Sequence, residues 1–140
     1  MSETVHASCV ARNGRAVLIA GRSGSGKSDL ALRLIDRGAN LVSDDYTIVT
    51  PVEGRLLASA PGNIRGMMEV RGVGVLEYET VSDVRVCLFV DLDAEVERLP
   101  AENSAVTVAG VPIPLIHVSA LEPSAPLKVE AALDRFGLAS

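Results

Sequence analysis

Eight consecutive residues, Gly21-Arg22-Ser23-Gly24-Ser25-Gly26-Lys27-Ser28, constrain this chain more than any other stretch. They satisfy G-x-x-x-x-G-K-[ST], the phosphate-binding loop pattern. Glycines let the backbone turn tightly and aim successive N–H groups at phosphate oxygens. A lysine placed as Lys27 is reaches the β- and γ-phosphates of a nucleotide, and a hydroxyl placed as Ser28 is ligates Mg²⁺. The loop needs a strand before it and a helix after it. Ala16-Val17-Leu18-Ile19-Ala20 is a short apolar run of the buried-strand type. Beyond the loop, Leu30, Ala31, Leu34 and Ile35 share one helical face, Arg33, Asp36 and Arg37 share another, and Gly38 supplies a stop. A flexible Gly/Ser linker would carry neither the flanking strand nor the Lys-Ser pair.

The remaining bounds come from size and charge. A chain of 140 residues has the length of one domain, so residues 1–140 are expected to form a single α/β unit. A net charge of −5 argues against nucleic acid as a partner, because a phosphate backbone needs a basic footprint. No apolar run approaches the ~20 residues of a membrane span, and the first residues lack the pattern of a signal peptide. A cytoplasmic protein without a membrane or nucleic-acid partner is therefore expected. Cys9 and Cys87 stand alone in apolar segments and read as buried free thiols.

Along the chain, Thr4 to Arg12 reads as a strand, and Asn13-Gly14 is a strong hairpin signal. A two-residue turn pairs Arg12 with Arg15 and Ala11 with Ala16. Continued, that count sets His6 opposite Gly21 and predicts an imidazole beside the phosphate loop. Leu41 and Val42 enter another short strand, with Ser43-Asp44-Asp45 at its end. Ligands in open α/β sheets sit beyond the carboxyl ends of strands, so these acids are expected to point towards the phosphates. One can hold metal or water while the other takes a proton from an attacking hydroxyl. Asp91, ending Val86-Cys87-Leu88-Phe89-Val90-Asp91, is a competitor for the acid nearest the metal.

Tyr46 to Pro51 and Arg55 to Ser59 read as strands around Glu53-Gly54. Pro61 to Asn63 reads as a loop. Glu69 and Arg71 would share a face of an extended segment; a carboxylate there can complete a magnesium shell and a guanidinium can neutralise phosphate charge. Val106 to Val118, with Gly110, Pro112 and Pro114, reads as short edge strands or a loop, and His117 as structural or exposed. Leu127 to Phe136 reads as a helix with Val129, Ala132 and Phe136 near one stripe.

Taken together, these motifs resemble the catalytic domain of the bacterial HPr kinase/phosphorylase family. That family carries G-x-S-G-x-G-K-S, then a helix, then L-V-[AS]-D-D, then E-[IV]-R-G-x-G, matched here by Gly21 to Ser28, Leu41 to Asp45 and Glu69 to Gly74. Its catalytic histidine precedes the loop lysine by the interval that separates His6 from Lys27. The resemblance implies an α/β core with a phosphate loop, similar to that of phosphoenolpyruvate carboxykinase. It implies ATP and Mg²⁺ as cofactors, phosphorylation of a serine on HPr, a phosphocarrier protein of a phosphotransferase system, and a hexamer. It also implies roles: Lys27 binds phosphate, Ser28 and Glu69 ligate Mg²⁺, Asp45 is the general base, Asp44 assists it, His6 sits close to it, and Arg98 corresponds to a catalytic arginine.

Two departures bear on activity. Typical members carry a further N-terminal domain, whereas the phosphate loop here begins almost at once, as in shortened members. Typical members also carry a basic R-P-G-R-type loop linked to phosphorolysis; the corresponding place here, Ser119-Ala120-Leu121-Glu122, has one acid and no arginine. A kinase with little or no phosphorylase activity is expected. Two other classes fit the motifs: a P-loop nucleotide-binding regulatory switch, and a kinase of a small molecule.

Overall fold

The computed structural model describes residues 1–99 and 103–140. Eleven strands and two α-helices run in the order β1 (Glu3–Val5), β2 (Ala7–Arg12), β3 (Arg15–Ala20), α1 (Lys27–Asp36), β4 (Asn40–Ser43), β5 (Thr47–Val52), β6 (Arg55–Ser59), β7 (Met67–Val70), β8 (Gly74–Glu77), β9 (Val84–Asp91), β10 (Ala105–Val108), β11 (Val111–His117) and α2 (Ala125–Phe136). A 3₁₀ turn at Gly62–Ile64 occupies the stretch read as a loop. The main sheet has the order β1-β5-β6-β9-β3-β2-β4, with β11 also on β9 and β10 on β11. β7 and β8 form a separate hairpin.

Strand directions decide where a ligand can sit. β3 runs parallel to β9, and β9 parallel to β11. β4 reaches the same direction through two antiparallel steps, via β2. The carboxyl ends of β3, β4, β9 and β11 therefore open on one edge, the edge where open α/β sheets place ligands.

Both helices cover one face of the sheet. Leu30, Ala31 and Leu34 of α1 and Val129, Ala132 and Leu133 of α2 pack with Val10, Ile19, Leu41 and Val90. The opposite face collects Cys9, Leu18, Val42, Val49, Leu56 and Ile113. The Arg37 guanidinium joins the helices by donating to Glu130 Oε1 at 2.9 Å, and that carboxylate holds the guanidinium proton more tightly than usual.

The first hairpin has the expected register, Arg12↔Arg15 through Ala7↔Ala20. Asn13 and Gly14 both take the positive φ that a tight hairpin turn demands. The strand expected over Thr4 to Arg12 is broken at His6: β1 pairs with β5 and β2 with β3, so the chain changes partner there. The helix expected from Leu127 starts two residues earlier. Pro126 lies in its first turn, where a missing N–H leaves no intrahelical bond unmade. The proline-bearing segment is a true hairpin. β11 meets β9 only from Leu115 onward, beyond Pro112 and Pro114, so neither proline has to supply a bond to a second neighbour.

Cys9 and Cys87 are free and fully buried, as expected. Burial pushes both thiols above their ordinary range. Thiolate is the reactive form, so titration of the native protein with an aromatic disulfide should detect neither group until denaturant is added. A fast-reacting thiol in the native state would contradict this packing.

Candidate functional site

β3 delivers the phosphate loop onto the open edge. The Ala20 carbonyl accepts the N–H of Leu92, and Arg22 N–H donates to Asp93 Oδ2 at 2.9 Å, so the segment after β9 holds the start of the loop. Gly24 and Gly26 have φ of 82° and 98°, a region L-residues rarely adopt, and α1 begins at Lys27. Lys27 is only 5% exposed, and its Nζ donates to the carbonyls of Gly21 at 2.8 Å and Arg22 at 3.2 Å. Ser25 Oγ is buried without a hydrogen-bond partner among the described residues. A buried orphan hydroxyl costs free energy unless something supplies its bond. The turned glycines and the N-terminus of α1 fit an anionic group.

The acids arrive by a slip in register. β2 and β4 pair as Cys9↔Ser43 but then as Val10↔Leu41, so β4 carries one extra residue. Leu41 faces α1. Strict alternation would send Ser43 to that face and Asp44 to the other; the slip reverses this. Asp44, 7% exposed, accepts the Ser28 hydroxyl at 2.6 Å and the Ser8 hydroxyl at 3.0 Å on Oδ1, and the Glu69 N–H at 3.4 Å on Oδ2.

Asp45 follows in the left-handed region, φ 65°, inside a three-residue turn closed by Tyr46 N–H donating to Asp44 O at 2.7 Å. Its N–H donates to Ser8 Oγ. Its carboxylate, 51% exposed, lies 2.9 Å from His6 Nε2 and 4.0 Å from Lys27 Nζ. The His6 ring stacks on Tyr46 with centroids 5.1 Å apart. The two acids thus differ in exposure: Asp44 is enclosed against Ser28, and Asp45 faces open space.

A cleft of about 500 Å³ is lined by Ser23, Gly24, Gly26, Lys27 and Ser28 of the loop, Asp44 and Asp45, Glu69 and Arg71 of the β7–β8 hairpin, and Ala120 and Leu121. Glu69 is in β7, but the extended segment stops at Val70. Arg71 sits in the turn, where Gly72 and Gly74 both have positive φ. Both residues nonetheless line the cleft. Segment 119–122 lies on the phosphate loop itself. Arg33 of α1 donates to the carbonyls of Ala120 and Glu122, and a Cβ on Gly26 would come within 2.9 Å of Ala120 Cβ. Glu122 is paired with Lys128, which holds its carboxyl below the usual range.

The competitor acid stands apart from Ser28. Asp91 Oδ2 is 3.2 Å from His117 Nδ1, an ion-pair separation without hydrogen-bond alignment, and Asp91 Oδ1 accepts the Asp93 N–H. Arg98 is exposed in the segment after β9 and is not among the residues lining the cleft. Among the described residues, no cluster of three or more His, Cys, Asp or Glu could hold a metal by itself. The oxygen set of Ser28, Asp44 and Glu69 suits Mg²⁺, which favours a few carboxylates, waters and phosphate oxygens over an all-protein cage.

Residues 1–136 match the HPr Serine kinase C-terminal domain family. The chain belongs to this family. An HPr kinase/phosphorylase of Chloroherpeton thalassium is 37% identical over 126 residues, covering 81% of this chain and 37% of that protein. One of Burkholderia lata is 37% identical over 131 residues, covering 82% and 39%. The chain thus spans about two-fifths of the length of the curated relatives it matches. A solved structure of the Hpr(Ser) kinase/phosphatase from Coxiella burnetii superposes with a TM-score of 0.80 at 26% identity, covering 95% of each chain. The expected α/β kinase fold is therefore the fold of the HPr kinase C-terminal domain.

Ser8, Tyr46, Arg33 and Asp93 were not foreseen as parts of this site. Ser8 carried one faint signal: its place two residues after His6 in the segment expected as a single strand. Tyr46 directly follows Asp45 in the chain, while Arg33 and Asp93 reach the site through tertiary contacts.

The two strained loop glycines should differ on substitution. Gly24→Ala meets nothing within 4 Å and should cost about 1 kcal/mol, the left-handed penalty alone. Gly26→Ala adds the approach to Ala120, which Arg33 holds in place, and should cost more. Guanidinium midpoints measure both; equal losses would mean that segment 119–122 yields freely.

Proposed function

We propose that this chain is an ATP-dependent protein-serine kinase acting on an HPr-type phosphocarrier. The observation that carries the reading is the convergence on one cleft of Lys27, the Ser28–Asp44 bond and the His6-backed Asp45. Family membership supports it, and so do the names of the relatives, HPr kinase/phosphorylase.

A serine hydroxyl is a poor nucleophile, so its proton needs an acceptor as it attacks. Asp45 is the exposed acid and takes that role. The serine Oγ bonds to the γ-phosphorus, the bond from that phosphorus to the bridging oxygen breaks, the proton passes to an Asp45 oxygen, and ADP leaves. His6 occupies one Asp45 oxygen and fixes the carboxylate's orientation. Lys27 brings a buried positive charge to the phosphates, and Arg71 is the cationic side chain across the cleft. This is positioning and charge neutralisation, the main source of catalysis in phosphoryl transfer. Mg²⁺, when bound, would be held by Ser28, Asp44 and Glu69 and would neutralise phosphate charge. Arg98 is assigned no step, since charge neutralisation falls to Lys27 and Arg71. No helix among the described residues is long and apolar enough to cross a membrane, consistent with a soluble carrier as substrate.

Segment 119–122 supports weak phosphorolysis. It lies at the cleft yet offers no cation: Arg33 is spent on its carbonyls and Lys128 on Glu122. An anionic second phosphate gains little there.

Labelled phosphate should pass from ATP to a purified HPr homologue. Asp45→Asn should lower that rate by roughly 10²–10⁴-fold, the span of general-base catalysis, with nucleotide binding retained. Label reaching only water, or transfer retained in Asp45→Asn, would remove the kinase reading or the base role respectively. Phospho-carrier mixed with inorganic phosphate should release little pyrophosphate; robust release would defeat the assignment of weak phosphorolysis.

A further inference from the structure

One fully enclosed polar side chain is joined to both acids without lining the cleft. Ser8 is 0% exposed. On β2, its neighbour two residues along, Val10, belongs to the apolar face under α1, while Ala7, Cys9 and Ala11 face the other way. Ser8 shares the α1 face by alternation. A hydroxyl on an apolar face costs free energy unless it is bonded. Here it is bonded twice, donating to Asp44 Oδ1 and accepting the Asp45 N–H, each at 3.0 Å.

These two bonds do different work. Asp44 Oδ1 is shared by the hydroxyls of Ser8 and Ser28, which approach from different elements and so fix the carboxylate's rotation. Oδ2 keeps only the long contact to Glu69 N–H, 3.4 Å, and retains lone pairs for a cation. The second bond satisfies the N–H of a residue in the left-handed region, a conformation that costs of order 1–3 kcal/mol and persists only when its surroundings impose it. A hydroxyl is the smallest side chain that can donate and accept at once.

We infer that Ser8 is a positioning residue for the phosphotransfer site: its hydroxyl orients Asp44 towards Ser28 and pins the turn that presents Asp45. Ser8 touches neither nucleotide nor carrier and acts through the two acids. What those acids do rests on the kinase reading above; that Ser8 sets their geometry does not.

The test compares Ser8→Thr with Ser8→Val in the full chain. The two share a shape and differ by the hydroxyl, so any crowding from the added bulk is common to both. Ser8→Ala removes the hydroxyl without adding bulk, should the larger side chains disturb folding. Calorimetry gives ATP affinity without metal, then the Mg²⁺ concentration that half-maximally tightens it. Metal-free affinity should stay close to that of the parent in all three variants. The Mg²⁺ requirement should rise about tenfold in Ser8→Val and Ser8→Ala, as for loss of a partner behind a metal ligand, and return towards the parent in Ser8→Thr. An unmoved requirement in Ser8→Ala, or equal requirements in Ser8→Thr and Ser8→Val, overturns the inference. So does a parent chain whose ATP affinity ignores Mg²⁺. A parent that shows the tenfold pattern but labels no HPr-type carrier refutes the kinase reading and leaves the role of Ser8 standing.

Discussion

One carboxylate joins the separate parts of this site. Asp44 ties α1 to the tip of β4 through Ser28, ties β2 to the same tip through Ser8, and reaches the β7–β8 hairpin through Glu69 N–H. A carboxylate as enclosed as Asp44 would be costly without such donors. Bonds to an ionised acceptor are also stronger than neutral ones. Three separate elements are therefore locked to one point by a group that cannot be left unsatisfied. The cleft exists because those elements meet there.

Legibility in the sequence followed how local each cause was. The phosphate loop, the first hairpin and α1 are fixed by near neighbours. Asn13-Gly14 dictates a turn, and the turn dictates the register that runs to Ala7↔Ala20; His6, one residue beyond, meets Asp45 rather than a strand partner. Asp44 and Asp45 were visible as acids after a strand, but their difference in exposure was not. It depends on a one-residue slip between β2 and β4, a pairing across most of the first third of the chain. Nothing in Leu41-Val42-Ser43 announces a bulge, since both Leu41 and Val42 are apolar and both are buried, on opposite faces. Acid and base two apart suggest one face of an extended segment for Glu69 and Arg71, but the strand stops at Val70 and Gly72 turns the chain.

Segment 119–122 shows how local contacts commit a charge. The resemblance sets this segment in the place of the family's basic loop, and here it packs against the phosphate loop. Arg33 supplies the cation from α1 and directs it at backbone carbonyls, leaving Leu121 with 90% of its surface in solvent at the rim. A charge that holds a loop in place is not available to hold a phosphate.

Lys27 extends the same reasoning to binding. Its ammonium is already bonded to the Gly21 and Arg22 carbonyls and lies 4.0 Å from an Asp45 oxygen. A phosphate entering the loop must therefore exchange these partners, and the net gain is the difference between two charge-assisted sets, not the full strength of one. The loop thus meets an anion with a lysine whose charge its own carbonyls already hold in readiness.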